Sequence, residues 1–468
     1  MNRRPGNIRE LQESGYRPRS VKEEMRKNLI DRIKTGQEQF PGIIGYEDTV
    51  IPQVENAILA GQDIIFLGER GQAKTRIIRS LVGLLDEEIP VIAGCEINDN
   101  PFNPICKSCR DRVAKRGGKV EISWLTRDTR YGEKLATPDT TIADLIGEVD
   151  PIRVAEGKYL SDELTIHYGL IPRTNRGIFS INELPDLAER IQVGLFNLME
   201  EKDIQIRGYK IRLPLDVYIV ASANPEDYTN RGRIITPLKD RYGSQIRTHY
   251  PQKLEQEISI MDQESTVFED GSYRVVVPQY IKEIVAELTS LARCHPDINQ
   301  RSGVSVRMSI SNYENLVGNA LRRAIRLGED VAVPRVSDLP FLVASTSGKI
   351  ELETVEDGAE GQLVERLIQN TVLNVFNRHF APDDFDGFLE SFKASPGIEV
   401  SESKASQEYT EIYKGFGGLG PGIKKLECDQ GLAATASAVE FILEGLHLNK
   451  KLNKEKLGAG SQYKGVND

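Results

Sequence analysis

Apolar residues recur along this chain with two different periods, and the changes between them divide it into four stretches. Over residues 1–40, Val21, Met25, Leu29, Ile30 and Ile33 fall at helical spacing between charged positions. Such a stripe predicts a helix with one face to bury, and packing on the next domain is favoured over a mobile basic arm. Residues 41–252 alternate short β-branched runs with amphipathic helices, the pattern of a parallel sheet covered on both faces. The strand candidates are Asp63–Leu67, Pro90–Ala93, Gly177–Ile181 and Asp216–Ala221, and Leu187, Ile191, Leu195 and Leu198 mark one helix buried against them. Residues 203–213 alternate with period two around Gly208 and predict a projecting β-hairpin. Residues 253–350 carry two helical stripes, Tyr280 to Leu291 and Tyr313 to Ala324, and predict a small helical domain. Residues 351–468 continue with helical signals at Leu363–Phe376 and Ala434–Leu446, broken by the glycine-rich run Gly415–Gly422. The last dozen residues are expected to be disordered.

Composition narrows the classes. A chain of 468 residues with 39% hydrophobic and 28% charged side chains is globular, and its length predicts two or three domains. Sixty basic against seventy acidic residues give a net charge of −10, which argues against a nucleic-acid-coating surface. The excess is uneven, because residues 1–34 hold ten Lys/Arg and five Asp/Glu. No apolar run reaches the roughly 18 residues of a membrane span. The segment Met1–Gly6 lacks the apolar stretch of a secretory signal, so a cytoplasmic location is expected. Five cysteines spread over this length do not describe a disulfide scaffold.

The most specific chemistry lies at Ile64-Ile-Phe-Leu-Gly68-Glu69-Arg70-Gly71-Gln72-Ala73-Lys74-Thr75, followed by the helical Arg76 to Val82. An apolar strand, a glycine-containing turn and a helix opening on Lys-Thr make the context of a phosphate-binding P-loop. Backbone N–H groups wrap the phosphates, Lys74 reaches the β/γ oxygens and Thr75 offers its hydroxyl to Mg²⁺. Ala73 stands where the pattern has its second glycine, and its methyl is tolerable if φ there is negative. A second strand, Gly177 to Asn182, delivers Glu183 as the general base for water. Asn182 replaces the usual aspartate and can meet Mg²⁺ only through a bound water, so hydrolysis is slow or another carboxylate compensates. The strand Val217 to Ala223 ends in Asn224, placed to position the attacking water. Arg241 follows as a candidate for crossing to a neighbour's nucleotide, with Arg231 and Arg233 as alternatives; Arg307 opens a helix of the small domain.

Taken in this order, the P-loop, acidic strand, polar strand and arginines resemble an AAA+ ATPase of the MoxR and magnesium-chelatase I-subunit group over residues 41–330. Thr137–Gly147 with Tyr168–Gly177 is similar to that group's helix-2 insertion, residues 203–213 to its pre-sensor hairpin, and Leu238–Gly243 to its arginine-finger stretch. The resemblance implies an α/β P-loop core, a helical lid at 253–350 and a helical C-terminal extension. It also implies Mg-dependent ATP hydrolysis in a hexameric ring and a partner carrying a von Willebrand factor A domain. The leading function is a motor or chaperone that remodels a partner protein. A magnesium-chelatase ATPase subunit and a nucleotide-binding scaffold with little hydrolysis are the alternatives, and a ring-ATPase transcription activator ranks last. Residues 94–136 are an elaboration outside this pattern. There, Cys106-Lys-Ser-Cys109 has the spacing of half a zinc site with Cys95 as a third thiolate. Lacking a second C-x-x-C, it reads as a reduced or reversible redox pair.

Overall fold

Four apolar residues between Asp63 and Gly68 form β1 (Ile64–Leu67), the strand around which the sheet is built. Further along the chain come β2 (Glu88–Ile92), β3 (Ile122–Thr126), β4 (Tyr131–Leu135), β5 (Gly147–Val149), β6 (Ile166–Tyr168), β7 (Gly177–Asn182), β8 (Val217–Ala223) and β9 (Ser244–Arg247). The structure is a computed structural model that describes residues 4–150, 163–201, 213–224, 233–266, 271, 273–300, 302–353, 359–393, 395–416, 418–458 and 460–466. Five strands form one parallel sheet in the order β4-β7-β8-β1-β9. Alternation along β1 sends Ile64 and Phe66 to one face and Ile65 to the other, and each face carries its own buried cluster.

The first face is covered by helices α2 (Val21–Thr35), α3 (Val50–Leu59) and α4 (Lys74–Ser80), which follow α1 (Ile8–Glu13) in the chain. Val21, Met25 and Leu29 are buried there beside Phe66 and Tyr218, so the N-terminal stripe packs on the sheet as expected. The opposite face receives the helix Glu189–Glu201 through Ile191, Leu195 and Leu198. One ion pair fixes α2 from below. Arg130 and Glu24 meet through two hydrogen bonds of 2.7 Å, and their side chains are 0% and 3% exposed. Removing one partner strands a buried charge, so Glu24→Ala is expected to destabilise the protein by about 3–5 kcal/mol. A denaturant midpoint unchanged from wild type would refute that.

One strand assignment changes, and two strands join the sheet unannounced. The run Pro90–Ala93 does not join the parallel sheet. Instead β2 pairs antiparallel with β3, with Ile89 opposite Leu125, in a separate hairpin. The sheet position is filled by β4, whose Tyr-Gly-Glu-Lys-Leu sequence has no continuous apolar run to reveal it. The edge strand β9 buries only Ile246 of its four residues and was absent from the expected set. The hairpin expected at 203–213 lies, apart from Leu213, outside the described residues.

The chain divides into two compact units, Met1–His249 and Tyr250–Asp468. In the second, the predicted stripes become the helices Gln279–Cys294, Arg307–Leu327, Ala359–His379 and Leu432–Leu448. The larger apolar core among the described residues of this unit runs from Ile258 to Tyr463, across the boundary expected at 350. The described residues of the tail are ordered. Leu452–Leu457 and Gly460–Gly465 form a hairpin that pairs with Ile398–Val400, anchored by buried Leu452 and Tyr463. Its Lys, Gly and Gln content concealed a strand pair that needs only two apolar anchors.

Candidate active site at the P-loop

The loop after β1 is braced from its own side chains. A Cβ on Gly68 would lie 1.9 Å from Thr248 Oγ1 and 2.2 Å from Gln72 Oε1, so only glycine fits there. Gln72 is buried, and its Oε1 accepts from the Glu69 N–H at 3.1 Å and from Thr248 Oγ1 at 2.7 Å. Tyr46 donates to the carbonyls of Gln72 and His249 at 2.9 and 2.6 Å. Burial pushes its phenol up to about 12, so it stays a donor across the physiological range. Gly71 has a φ of +77°.

Ala73 does not meet the condition of a negative φ under which its methyl would be tolerable. It sits at φ 53° and ψ 14°, in the left-handed region, and is exposed at the mouth of the loop. The loop path demands the conformation that glycine adopts freely, and alanine there is strained by roughly 1–2 kcal/mol. Ala73→Gly is therefore expected to raise stability by about 1 kcal/mol and to tighten ATP binding, measured by denaturation and by calorimetric titration. A destabilised Ala73→Gly variant would contradict this account of the loop.

Helix α4 opens on Lys74, which is 7% exposed. Its Nζ donates to the carbonyls of Gly68 and Glu69 and, at 2.6 Å, to Oδ1 of Asn224 at the end of β8. The amide of Asn224 in turn donates to Glu183 Oε2 at 2.8 Å. Lys74, Asn224 and Glu183, nominated in the sequence by the P-loop pattern and two strand ends, thus form one hydrogen-bonded line across three segments. Glu183 follows β7 at φ 55° and ψ 50°, a strained backbone setting that turns its side chain out of the strand. Thr75 is half-buried, while Arg70 and Arg76 are exposed.

Asn182, 8% exposed, donates from its amide to Glu133 and accepts from Ser222 Oγ at 3.4 Å. Glu133 lies on the neighbouring strand β4 and is the carboxylate the sequence reading missed. It also accepts from Arg79 Nε at 3.0 Å and from Tyr131 at 3.0 Å. Burial opposes its ionisation, yet Arg79, Tyr131 and Asn182 together hold it below the ordinary carboxylate value. A negative charge therefore stands against Asn182, where the expected aspartate is lacking. Nothing in the local pattern marks Glu133; only the pairing of β4 with β7 brings it there.

Arg241 ends the helix Thr236–Arg241, with Nε 2.6 Å from Glu200 Oε2 and its guanidinium over the Phe196 ring. Arg233 is 3.6 Å from Glu189, and Arg231 lies outside the described residues. Arg307 is exposed at the first position of its helix in the second unit. Between the two halves of the expected helix-2 insertion, β5 and β6 pair antiparallel with Gly147 opposite Tyr168.

No family model matches the chain. The chain is 25% identical over 356 residues to the magnesium-chelatase subunit ChlI of Mesostigma viride, covering 71% of this chain and 94% of that one. It is 28% identical over 212 residues to a magnesium-chelatase subunit ChlI homolog of Methanocaldococcus jannaschii, covering 44% and 53% of the two chains. Among solved structures, a reconstruction of the BchI–BchD magnesium-chelatase complex aligns with 69% of this chain and 98% of its own at 19% identity and a TM-score of 0.36. Similarity sustained over nearly the whole of a ChlI subunit, together with a five-stranded parallel sheet that carries Lys74, Glu183 and Asn224 on adjacent segments, supports an AAA+ ChlI-like ATPase that hydrolyses ATP with Mg²⁺.

Proposed function

We propose that this chain is a ring-forming motor that uses ATP hydrolysis to remodel or activate a partner protein, with each active site completed by Arg241 of a neighbouring subunit. The observation that carries the reading is the line Lys74–Asn224–Glu183. It joins the phosphate-holding cation to the base through a single amide, so a change at the phosphates is felt at the carboxylate.

In this reading, the backbone from Gly68 to Ala73 cradles the phosphates, with Glu69, Arg70 and Arg76 at its margins. Lys74 leaves its carbonyl partners for the β/γ oxygens. The Thr75 hydroxyl and, through a water, Asn182 would hold Mg²⁺, which would supply the charge neutralisation those oxygens need. The Glu133 carboxylate restores the negative charge that Asn182 does not bring. Asn224 orients a water, Glu183 takes its proton, and the water oxygen attacks the γ-phosphorus as the bond to the bridging oxygen breaks. Arg241 stabilises the developing charge from the next subunit, and Arg307 reports nucleotide state from the helical lid. A hexamer, a partner with a von Willebrand factor A domain and a cytoplasmic setting complete the proposal. No helix among the described residues is long and apolar enough to cross a membrane.

The 94% coverage of a ChlI subunit favours a second reading, the ATPase subunit of a magnesium chelatase. Ala73 and Asn182 favour a third, a nucleotide-gated scaffold that barely turns over. Steady-state Mg-ATP hydrolysis against protein concentration separates the first from the third. A rate that climbs more than linearly supports sites shared between subunits. A rate strictly proportional to concentration down to nanomolar protein overturns them, and tight ATP binding without turnover favours the scaffold. Magnesium insertion into a porphyrin, dependent on added chelatase subunits, would select the second reading.

A further inference from the structure

Away from the nucleotide, the elaboration between β1 and β4 gathers three thiols and a carboxylate. The ligand atoms of Cys95, Asp99, Cys106 and Cys109 all lie within 4.8 Å of one another. Cys106 caps helix α5 (Lys107–Arg116), Cys109 sits in its first turn, and Cys95 and Asp99 come from the loop after β2. From these positions we propose that Cys95, Asp99, Cys106 and Cys109 bind a single divalent cation, Zn²⁺, as a structural site.

Four observations support this. Tetrahedral zinc with thiolates at about 2.3 Å puts neighbouring ligand atoms roughly 3.8 Å apart, which the observed 4.8 Å envelope accommodates. The same envelope holds one ion and is too small for a multi-iron cluster. Two backbone N–H groups already point at sulfur: Asp99 N–H at Cys95 Sγ, 3.4 Å, and Cys109 N–H at Cys106 Sγ, 3.3 Å.

Asp99 is the most telling residue. It is fully buried, and among the described residues no cationic side chain forms an ion pair with it. Its oxygens accept from Ile105 N–H at 3.2 Å and Cys106 N–H at 3.0 Å, which leaves a lone pair on each for a metal. A buried carboxylate without a cation is costly, and a bound Zn²⁺ supplies the missing charge. A Cys106–Cys109 disulfide would explain two of the four groups and leave Cys95 and Asp99 without a purpose.

The loop is also rigidly held. Asn98 donates to the Arg173 carbonyl at 2.8 Å, Asn175 to the Ile97 carbonyl at 2.9 Å, and Arg112 to the Ala93 carbonyl at 2.8 Å. Glu163, just before β6, accepts from the Lys107 N–H and from Arg110 at the start of α5. A metal here locks the hairpin of β2 and β3 to the base of the helix-2 insertion.

The test uses the full-length chain, purified under reducing conditions without added chelator. Elemental analysis is expected to find close to one zinc per chain. After stripping, Co²⁺ alone is expected to give an intense visible spectrum and a sulfur-to-metal charge-transfer band. Asp99→Asn should weaken zinc affinity by about 10–100-fold, and Cys109→Ser should abolish stoichiometric binding. Metal-free protein with all thiols titratable and no cobalt spectrum would overturn the proposal. A mass two hydrogen atoms lighter, from a Cys106–Cys109 disulfide that persists in the reducing buffer, would overturn it equally. The cobalt spectrum of the wild-type chain decides the matter even if a cysteine variant fails to fold.

Discussion

Glu183→Gln is expected to lower ATP turnover by about 10²–10⁴-fold while leaving ATP affinity within a few-fold of wild type. Glutamine keeps the length of the side chain, and its carbonyl oxygen can still accept the 2.8 Å hydrogen bond that Asn224 now gives to the carboxylate. The line to Lys74 therefore survives, and the phosphate cradle with it. What disappears is a group able to take the proton from water. Single-turnover hydrolysis and calorimetric ATP binding on the same preparation separate the two effects. Turnover above about a tenth of wild type would place the base elsewhere, and Glu133, the nearest additional carboxylate to Asn182, would become the candidate.

Arg241→Ala is expected to reduce turnover by about 10³–10⁵-fold with unchanged nucleotide affinity, the behaviour of an arginine that acts only in the transition state. Within its own chain Arg241 pairs with Glu200 and lies over Phe196, with the two charged side chains 39% and 38% exposed. An ion pair so open to solvent is worth about 0–1 kcal/mol. Releasing it to reach a neighbour's phosphates is therefore inexpensive, and Glu200→Gln should leave turnover near wild type. Parallel loss of binding and turnover in Arg241→Ala would mean that the residue holds the fold or the nucleotide rather than the transition state.

The sequence disclosed those parts of the site that a single segment encodes. Gly68 to Thr75 declares itself through strand, turn and helix in succession, and Glu183 and Asn224 each end an apolar strand buried on both faces. Where a strand borders the sheet, the apolar signal fades. β4 reads Tyr-Gly-Glu-Lys-Leu and β9 Ser-Gln-Ile-Arg, and neither announces itself. The run Ile89-Pro-Val-Ile92 has the composition of a sheet strand, but it pairs with β3 as a hairpin instead, its Ile92 buried in the same cluster as Ile8 and Leu11. Glu133 was invisible for a related reason. Its place beside Asn182 depends on the register of two strands 49 residues apart, which no local spacing encodes. The left-handed backbone at Ala73 and the approach of Asp99 to three thiols likewise exist only once the chain has closed on itself.

The central claim is that Glu183 and Arg241 act in one active site from two different chains. Mixing Glu183→Gln protein with Arg241→Ala protein tests it most directly, because each is expected to be inactive alone. In an equimolar random assembly, about a quarter of the interfaces pair an intact Glu183 with an intact Arg241 across the head-to-tail contact. ATP turnover in the mixture should then recover toward about a quarter of the wild-type rate. A mixture that exchanges subunits and stays as inactive as its components would contradict the claim, because both residues would then be required within a single chain.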